Sequence, residues 1–375
     1  MLNYSREDGF TISELLVSTT VMLLVISGAL TTFKNAVQIN DAASQLADSS
    51  QNLRAGTNTL IRDLMMAGRI FGAEGVALPT CGGAQPFNRP GPAGGTFPTV
   101  NVDGTSMNLA SITTGAGLGP VIKGSATDIV TIMTVDEFMP VIIAQPNPSV
   151  SPATEGTIAA DGLSVTLAAN SPWLVQDVVN DTQPMNVGDL VLFKSPNGNA
   201  IQTITRKDAT HIYFENNGAD PFKFNQSCAA PNWPMAVIRN GATFTSPVTL
   251  FRALMITYYV DNLTVPGTPR LTRQINNFTP MALAGVVEDL DLTYDLVDGV
   301  NNPTDKPSLP WTDNSVNPVV TYNANQIRKV NVHVGVRSEQ LSKPTQDYVR
   351  NHISTSVDVR SLASVDRYKT TQEVQ

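Results

Sequence analysis

The sequence predicts an α+β protein. A long N-terminal helix, its first half suited to a membrane, packs by its second half on a mainly antiparallel β body. Three observations predict this. From Phe10 to Leu30 the chain runs 21 residues with one charge, Glu14. An apolar stripe of helical spacing then continues to Leu64. Beyond residue 126 the period changes to two, with apolar and polar residues alternating in short runs bounded by turn residues.

The composition narrows the class. The chain has 375 residues, a prior of two or three domains, and 15% are charged, against about 25% in a typical soluble protein. A net charge of −8 offers nucleic acid no electrostatic attraction. Two cysteines, with no Cys-x-x-Cys pair, exclude a disulfide-dense scaffold, a zinc ribbon and an iron–sulfur protein.

As a helix, Phe10–Leu30 is about 31 Å long at ~1.5 Å per residue, enough to cross a hydrocarbon core. Its Ser and Thr hydroxyls can bond the helix's own carbonyls. A cleaved secretory signal is the alternative, with Ser27-Gly28-Ala29 as its small-residue site. Glu14 argues against it, because a carboxylate at the start of a spanning helix is costly unless a positive group meets it. Cleavage after Gly9 would supply one, the α-amino group of Phe10. Past Leu30 the stripe reads Phe33, Val37, Leu46, Leu53, Leu60 and Leu64, with Ala43, Ser50 and Thr57 filling gaps. The opposite face is read as polar: Lys34, Asn35, Asp41, Asp48, Asn52, Asn58 and Asp63. Gly68 and Gly72 mark the stop, with Arg69 near the helix end.

The motif Gly9-Phe10-Thr11-Ile12-Ser13-Glu14-Leu15-Leu16-Val17 resembles the processing site of the type IV prepilin family. The resemblance implies cleavage between Gly9 and Phe10 by a membrane-embedded prepilin peptidase, and methylation of the Phe10 amine. It implies that Glu14 meets the N-terminus of a neighbouring subunit. The leader departs from the pattern, since Arg6 is offset by Glu7 and Asp8. Residues 22–35 lack the Pro frequent in major pilins, which fits minor pilins and pseudopilins better.

The region after the span is similar to PilW-type minor pilins in several patches. They are Leu60–Gly72 at the helix end, Val187–Phe193 with Ala200–Thr205, Val286–Tyr294, Arg328–Arg337 and Val357–Leu362. Ser361 stands where that group often has Asn. The expected organisation is a leader at 1–9, a transmembrane half at 10–30, an amphipathic half at 31–68 and an extracytoplasmic β-rich body at 69–375. The implied setting is the bacterial inner membrane, with the body in the periplasm, followed by the pilus at the cell surface. The implied partners are the peptidase and other minor and major pilins. A pseudopilin J-like tip subunit of type II secretion is the alternative within the class. An anchored extracytoplasmic binding protein is the alternative outside it.

Within the body, strands are expected at 128–135, 163–167, 189–194, 200–206, 211–215 and 251–260, and in the alternating runs at 290–296, 330–336 and 355–359. Pro196-Asn197-Gly198-Asn199 reads as a hairpin turn, with 211–215 as the next strand of a meander. The sheets are expected to keep one wet face. No catalytic motif emerges and no enzyme is expected: His211, His333 and His352 lie far apart in the chain. The consecutive pairs Asp136-Glu137 and Glu288-Asp289 would point to opposite faces of a strand. The turn from Asp298 to Asp305 has calcium-ligand chemistry without EF-hand spacing; an Asx-rich turn is the simpler reading, and no cofactor is expected. Outside the cytoplasm Cys81 and Cys228 can pair, which would clamp a Gly/Pro-rich loop to the body; two separate buried thiols are the alternative.

Overall fold

The structure, a computed structural model, describes residues 10–71, 75–78, 87–92, 100–101, 107–143, 156–168, 171–175, 184–227, 233, 235–239, 247–296, 304–306, 308, 311–313, 320–322, 324–342 and 346–363. One helix, α1 (Ile12–Met65), precedes a body of strands. In chain order these are β1 (Val76–Ala77), β2 (Val100–Asn101), β3 (Met107–Leu109), β4 (Ile112–Thr113), β5 (Val121–Ile122), β6 (Ser125–Ala126) and β7 (Val130–Ile143). Next come β8 (Gly156–Ile158), β9 (Ser164–Leu167), β10 (Leu190–Ser195), β11 (Gly198–Thr203), β12 (Arg206–Lys207), β13 (His211–Tyr213) and β14 (Val248–Asp261). The last are β15 (Arg270–Ile275), β16 (Met281–Leu296), β17 (Thr304–Lys306), β18 (Trp311–Asp313), β19 (Val320–Tyr322), β20 (Ile327–Ser342) and β21 (Asp347–Asp358), before the single turn α2 (Arg360–Ala363).

The helix is two residues shorter at its start than the apolar run, because Thr11 is extended (φ −75°, ψ 150°) and caps it. The Thr11 hydroxyl accepts from the Glu14 N–H while the Glu14 carboxylate accepts from the Thr11 N–H, a capping box. The hydroxyls of Ser18, Thr19, Thr20, Thr31 and Thr32 donate to carbonyls three or four residues back, as expected of polar residues in an apolar helix. The helix ends at Met65 rather than 67 or 68; Gly68 (φ 75°) and Ile70 (φ 69°) turn the chain away through left-handed backbone.

The main sheet has ten strands, with the path β11-β10-β14-β15-β16-β20-β21; β17 joins β16, β7 joins β14, and β4 joins β7. All of its pairings are antiparallel. The expected hairpin is present: Ser195 faces Gly198 across the two-residue turn Pro196-Asn197. The meander does not continue. His211–Tyr213 joins a separate four-stranded sheet, β12-β13-β9-β8, because β13 pairs with β9 through Ile212 and Val165, both buried in a second core.

Several strands run longer than their alternation suggested. β16 and β20 each span 16 residues, since exposed Met281–Ala282 and polar Arg337–Ser342 carry no clear period. The expectation of one wet face holds for β20, where Val330, Val332, Val334 and Val336 are buried and their neighbours are not. It fails for β14. Ile256, Tyr258 and Val260 enter the core under α1, whereas Ala253 and Met255 enter another core with Phe222 and Phe224. Covered on both sides, the strand loses its polar face. Consecutive carboxylates also depart from expectation. A β-bulge between Val287 and Asp289 turns Glu288 to the same side as Asp289: Glu288 bonds Arg337 at 3.2 Å, and Asp289 lies 3.6 Å from His333, four residues back on β20.

Candidate assembly interface

Helix α1 has two environments. From Phe10 to Val37 every residue is exposed, and Phe10 is 88% so. No part of the body covers Leu15, Leu16, Val21, Leu24 or Phe33. Leaving such side chains in water costs about 1.5–3 kcal/mol each relative to burial. This stretch is long and apolar enough to cross a membrane. Its lone carboxylate is folded back on the cap, with Glu14 Oε2 2.9 Å from the Thr11 hydroxyl and 3.0 Å from the Thr11 N–H. The charge therefore sits one residue from Phe10, at the end of the helix where the backbone dipole is positive.

From Ser49 onward the helix is docked. Ser49, Leu53, Gly56, Thr57, Leu60, Asp63 and Leu64 are buried on strands β16, β20 and β21. Leu53, Leu60 and Leu64 follow the predicted stripe; Phe33 and Leu46 lie on it but remain 69% and 43% exposed. A Cβ on Gly56 would come within 2.9 Å of the Ala284 Cβ, so only glycine allows this approach of helix to β16.

Asp63 corrects the reading of the polar face. It is fully buried. Its Oδ2 accepts from the Tyr258 hydroxyl at 2.6 Å and from Arg273 Nε at 2.7 Å, and Arg273 Nε lies 3.2 Å from the Tyr258 oxygen. Burial, then the Asp63 charge, raises the Tyr258 phenol far above its usual value, so it stays a donor. Asp63, Tyr258 and Arg273 carried no sequence signal as a group. The spacing held one clue: Gly56 and Asp63 are seven apart and interleave Leu53 and Leu60, which places both on the docking seam.

Between the helix and the outer end of the sheet lies a polar groove of about 520 Å³, lined by Gln45, Asp48, Ser49, Asn52, Arg337 and Glu339 among others. Near it, Asn351 Nδ2 donates to Ser50 Oγ at 2.8 Å across the helix–sheet junction.

The remaining expectations fall as follows. Gly9, Cys81, Cys228 and Asp298 lie outside the described residues. His333 and His352, distant in the chain, are brought to 5.5 Å between ring centroids by the β20–β21 pairing; His211 stays on the separate sheet, stacked on Tyr213. Among the described residues no group of three or more His, Cys, Asp or Glu is arranged to hold a metal ion. Among the described residues of the body, three carboxyls are buried. Asp128, held by the Gly117 and Leu292 N–H groups at 2.7 and 2.8 Å, is pushed up to about 6, mainly by burial. Burial also raises Asp189 and Asp220. The fold and helix define a β protein carried on an uncovered apolar helix. No protein-family model, no curated protein and no solved structure matches this chain.

Proposed function

We propose that this chain is a minor subunit of a type IV pilus, held in the inner membrane by its N-terminal helix before assembly and incorporated at or near the filament tip. The observation that carries the reading is the uncovered arm: Phe10–Val37 is apolar, protrudes from the body, and bears at its end a carboxylate one residue from Phe10. An anchor needs the apolar length but not the charge. In a bundle of such helices Glu14 would meet the amine of a neighbouring Phe10, a pairing that is strong where water is excluded. The large β body suits a position that is not repeated along a thin shaft, where it would help prime assembly and present its loops to a surface.

The test is the mature N-terminus and its charge. Membrane-extracted protein should begin at a methylated Phe10. Glu14→Ala should insert normally, since the span becomes more apolar, yet fail to enter filaments. A mature start near residue 30 would identify a secretory signal instead. Normal incorporation of Glu14→Ala into filaments would overturn the assembly role of Glu14, and absence of the native chain from filaments would favour the binding-protein reading.

A further inference from the structure

Four observations at the base of the helix bear on one question, namely what sets the direction of the arm. The leucines that dock it, Leu53 and Leu60, are seven residues apart and continue a stripe through Leu46, so they do not by themselves distinguish one placement on the sheet from another. The connection after the helix tethers it, through the Gly68 N–H to the Met133 carbonyl at 3.0 Å and through buried Phe71. That tether passes through two left-handed residues, Gly68 and Ile70, so it fixes position more than direction. Above Leu53 the apolar seam gives way to the polar groove, whose lining adds little apolar packing to the seam.

The exceptional residue is Asp63. A carboxylate with no exposed surface on an apolar seam is a poor choice for stability alone. Its Oδ1 has no hydrogen-bond partner among the described residues, and apolar side chains of similar size are often neutral or better at such sites. Buried ionic groups of this kind are best attested as devices that select one packing over others. We infer that Asp63, Tyr258 and Arg273, with the close contact of Gly56 on Ala284, form an aiming lock that fixes the orientation of α1 on the body.

The lock works through directional bonds. Tyr258 comes from β14 and Arg273 from β15, and both converge on one oxygen, Oδ2. A rotation of the helix that keeps Leu53, Leu60 and Leu64 buried would still carry Oδ2 away from both donors. Seven residues earlier, Gly56 lets the helix lie against β16 at one azimuth only, because a neighbouring side chain turned to that spot would meet Ala284. Asp63 is 49 residues from Glu14, so the lever between them is about 74 Å at ~1.5 Å per residue, and a tilt of about 5° moves Glu14 by about 6 Å. Asp63 is thus a positioning residue. The inference stands on helix–sheet geometry and does not depend on the filament reading.

The experiment uses full-length protein in nanodiscs. Genetically encoded spin-label side chains replace Ile39 and Leu263, which are 69% and 68% exposed, leaving both cysteines intact. Pulsed electron–electron resonance reads the distance distribution between them. The native chain should give one narrow distribution. The double variant Asp63→Leu/Arg273→Leu should keep the native thermal midpoint within a few degrees yet broaden the distribution at least twofold or split it. Asp63→Asn, which keeps shape and acceptor, should fall between. An unchanged distribution in the double variant would overturn the lock. So would unfolding of both the double variant and Asp63→Asn, which would make the cluster a stabilising element and nothing more.

Discussion

Residues 12–37 and 49–64 belong to one uninterrupted helix, and both are rich in apolar side chains, but they spend them differently. In the docked part the apolar residues keep a sevenfold step and meet complementary strands, with Leu60 and Leu64 losing all contact with solvent. In the arm they surround the helix, and none is covered. A helix apolar on one stripe is written for a protein surface, whereas one apolar all round is written for a different solvent. The comparison teaches that α1 is two devices in one element. The lower half measures its worth in body stability, and the upper half contributes nothing to it.

The sharpest way to break that division is a pair of truncations. Leu60→Ala should destabilise the body by about 2–5 kcal/mol, through lost burial and a residual cavity. Leu23→Ala, in the arm, should leave the thermal midpoint of the body unchanged. Thermal unfolding of both variants in detergent decides it; equal shifts would show that the arm is part of the fold.

A smaller effect probes the closeness of docking. Gly56→Val forces a branched side chain against Ala284 and should cost about 1–3 kcal/mol. The same change at Gly28, where a Cβ would meet nothing within 4 Å, should be silent in body stability. Denaturant midpoints of the two variants compare them directly.

The smallest effect is a pH dependence confined to the body. Burial pushes the Asp128 carboxyl up to about 6, from 3.8 for a solvated carboxyl, and Asp189 and Asp220 shift the same way. Between these values the folded protein binds more protons than the unfolded chain. The stability they contribute is therefore complete below about pH 4 and is lost as pH rises through about 6, with a ceiling of about 3 kcal/mol for Asp128. Asp208 and Asp347, held low by the Thr210 and Tyr348 N–H groups, lose their contribution only below the ordinary carboxylate range, outside this window. The thermal midpoint should be higher at pH 5 than at pH 7.5. A midpoint that rises with pH over that interval would show that these carboxyls are better solvated than the structure implies.

Much of this molecule could be read before its structure, for reasons that are local. The apolar run from Phe10 marked the helix to within two residues of its start, and Pro196-Asn197-Gly198-Asn199 marked the hairpin. The valines of β20 alternated because one face of that strand is wet. What escaped depended on partners distant in the chain. Asp63 looked like a surface charge until Tyr258 and Arg273 were folded over it, 195 and 210 residues later. Glu288 and Asp289 were assigned to opposite faces by a rule that a single bulge suspends. His211 followed its hairpin neighbours in sequence but was claimed by β9, where Ile212 finds Val165. The arm itself was legible from composition alone. The residues that orient it were not, because orientation is settled by contacts between segments.

The polar groove beside Gln45–Asn52 gives the helix a mechanical direction. A sideways pull on the arm loads the junction at that wet end first, and then the apolar seam from Leu53 downward. A pull along the axis meets a different response: Leu53, Gly56, Leu60, Asp63 and Leu64 are strained together, in shear, with the Asp63 bonds deepest in the sequence of rupture. The same interface is therefore compliant to bending and stiff to traction, as a tether attached flat along a surface resists sliding better than it resists peeling.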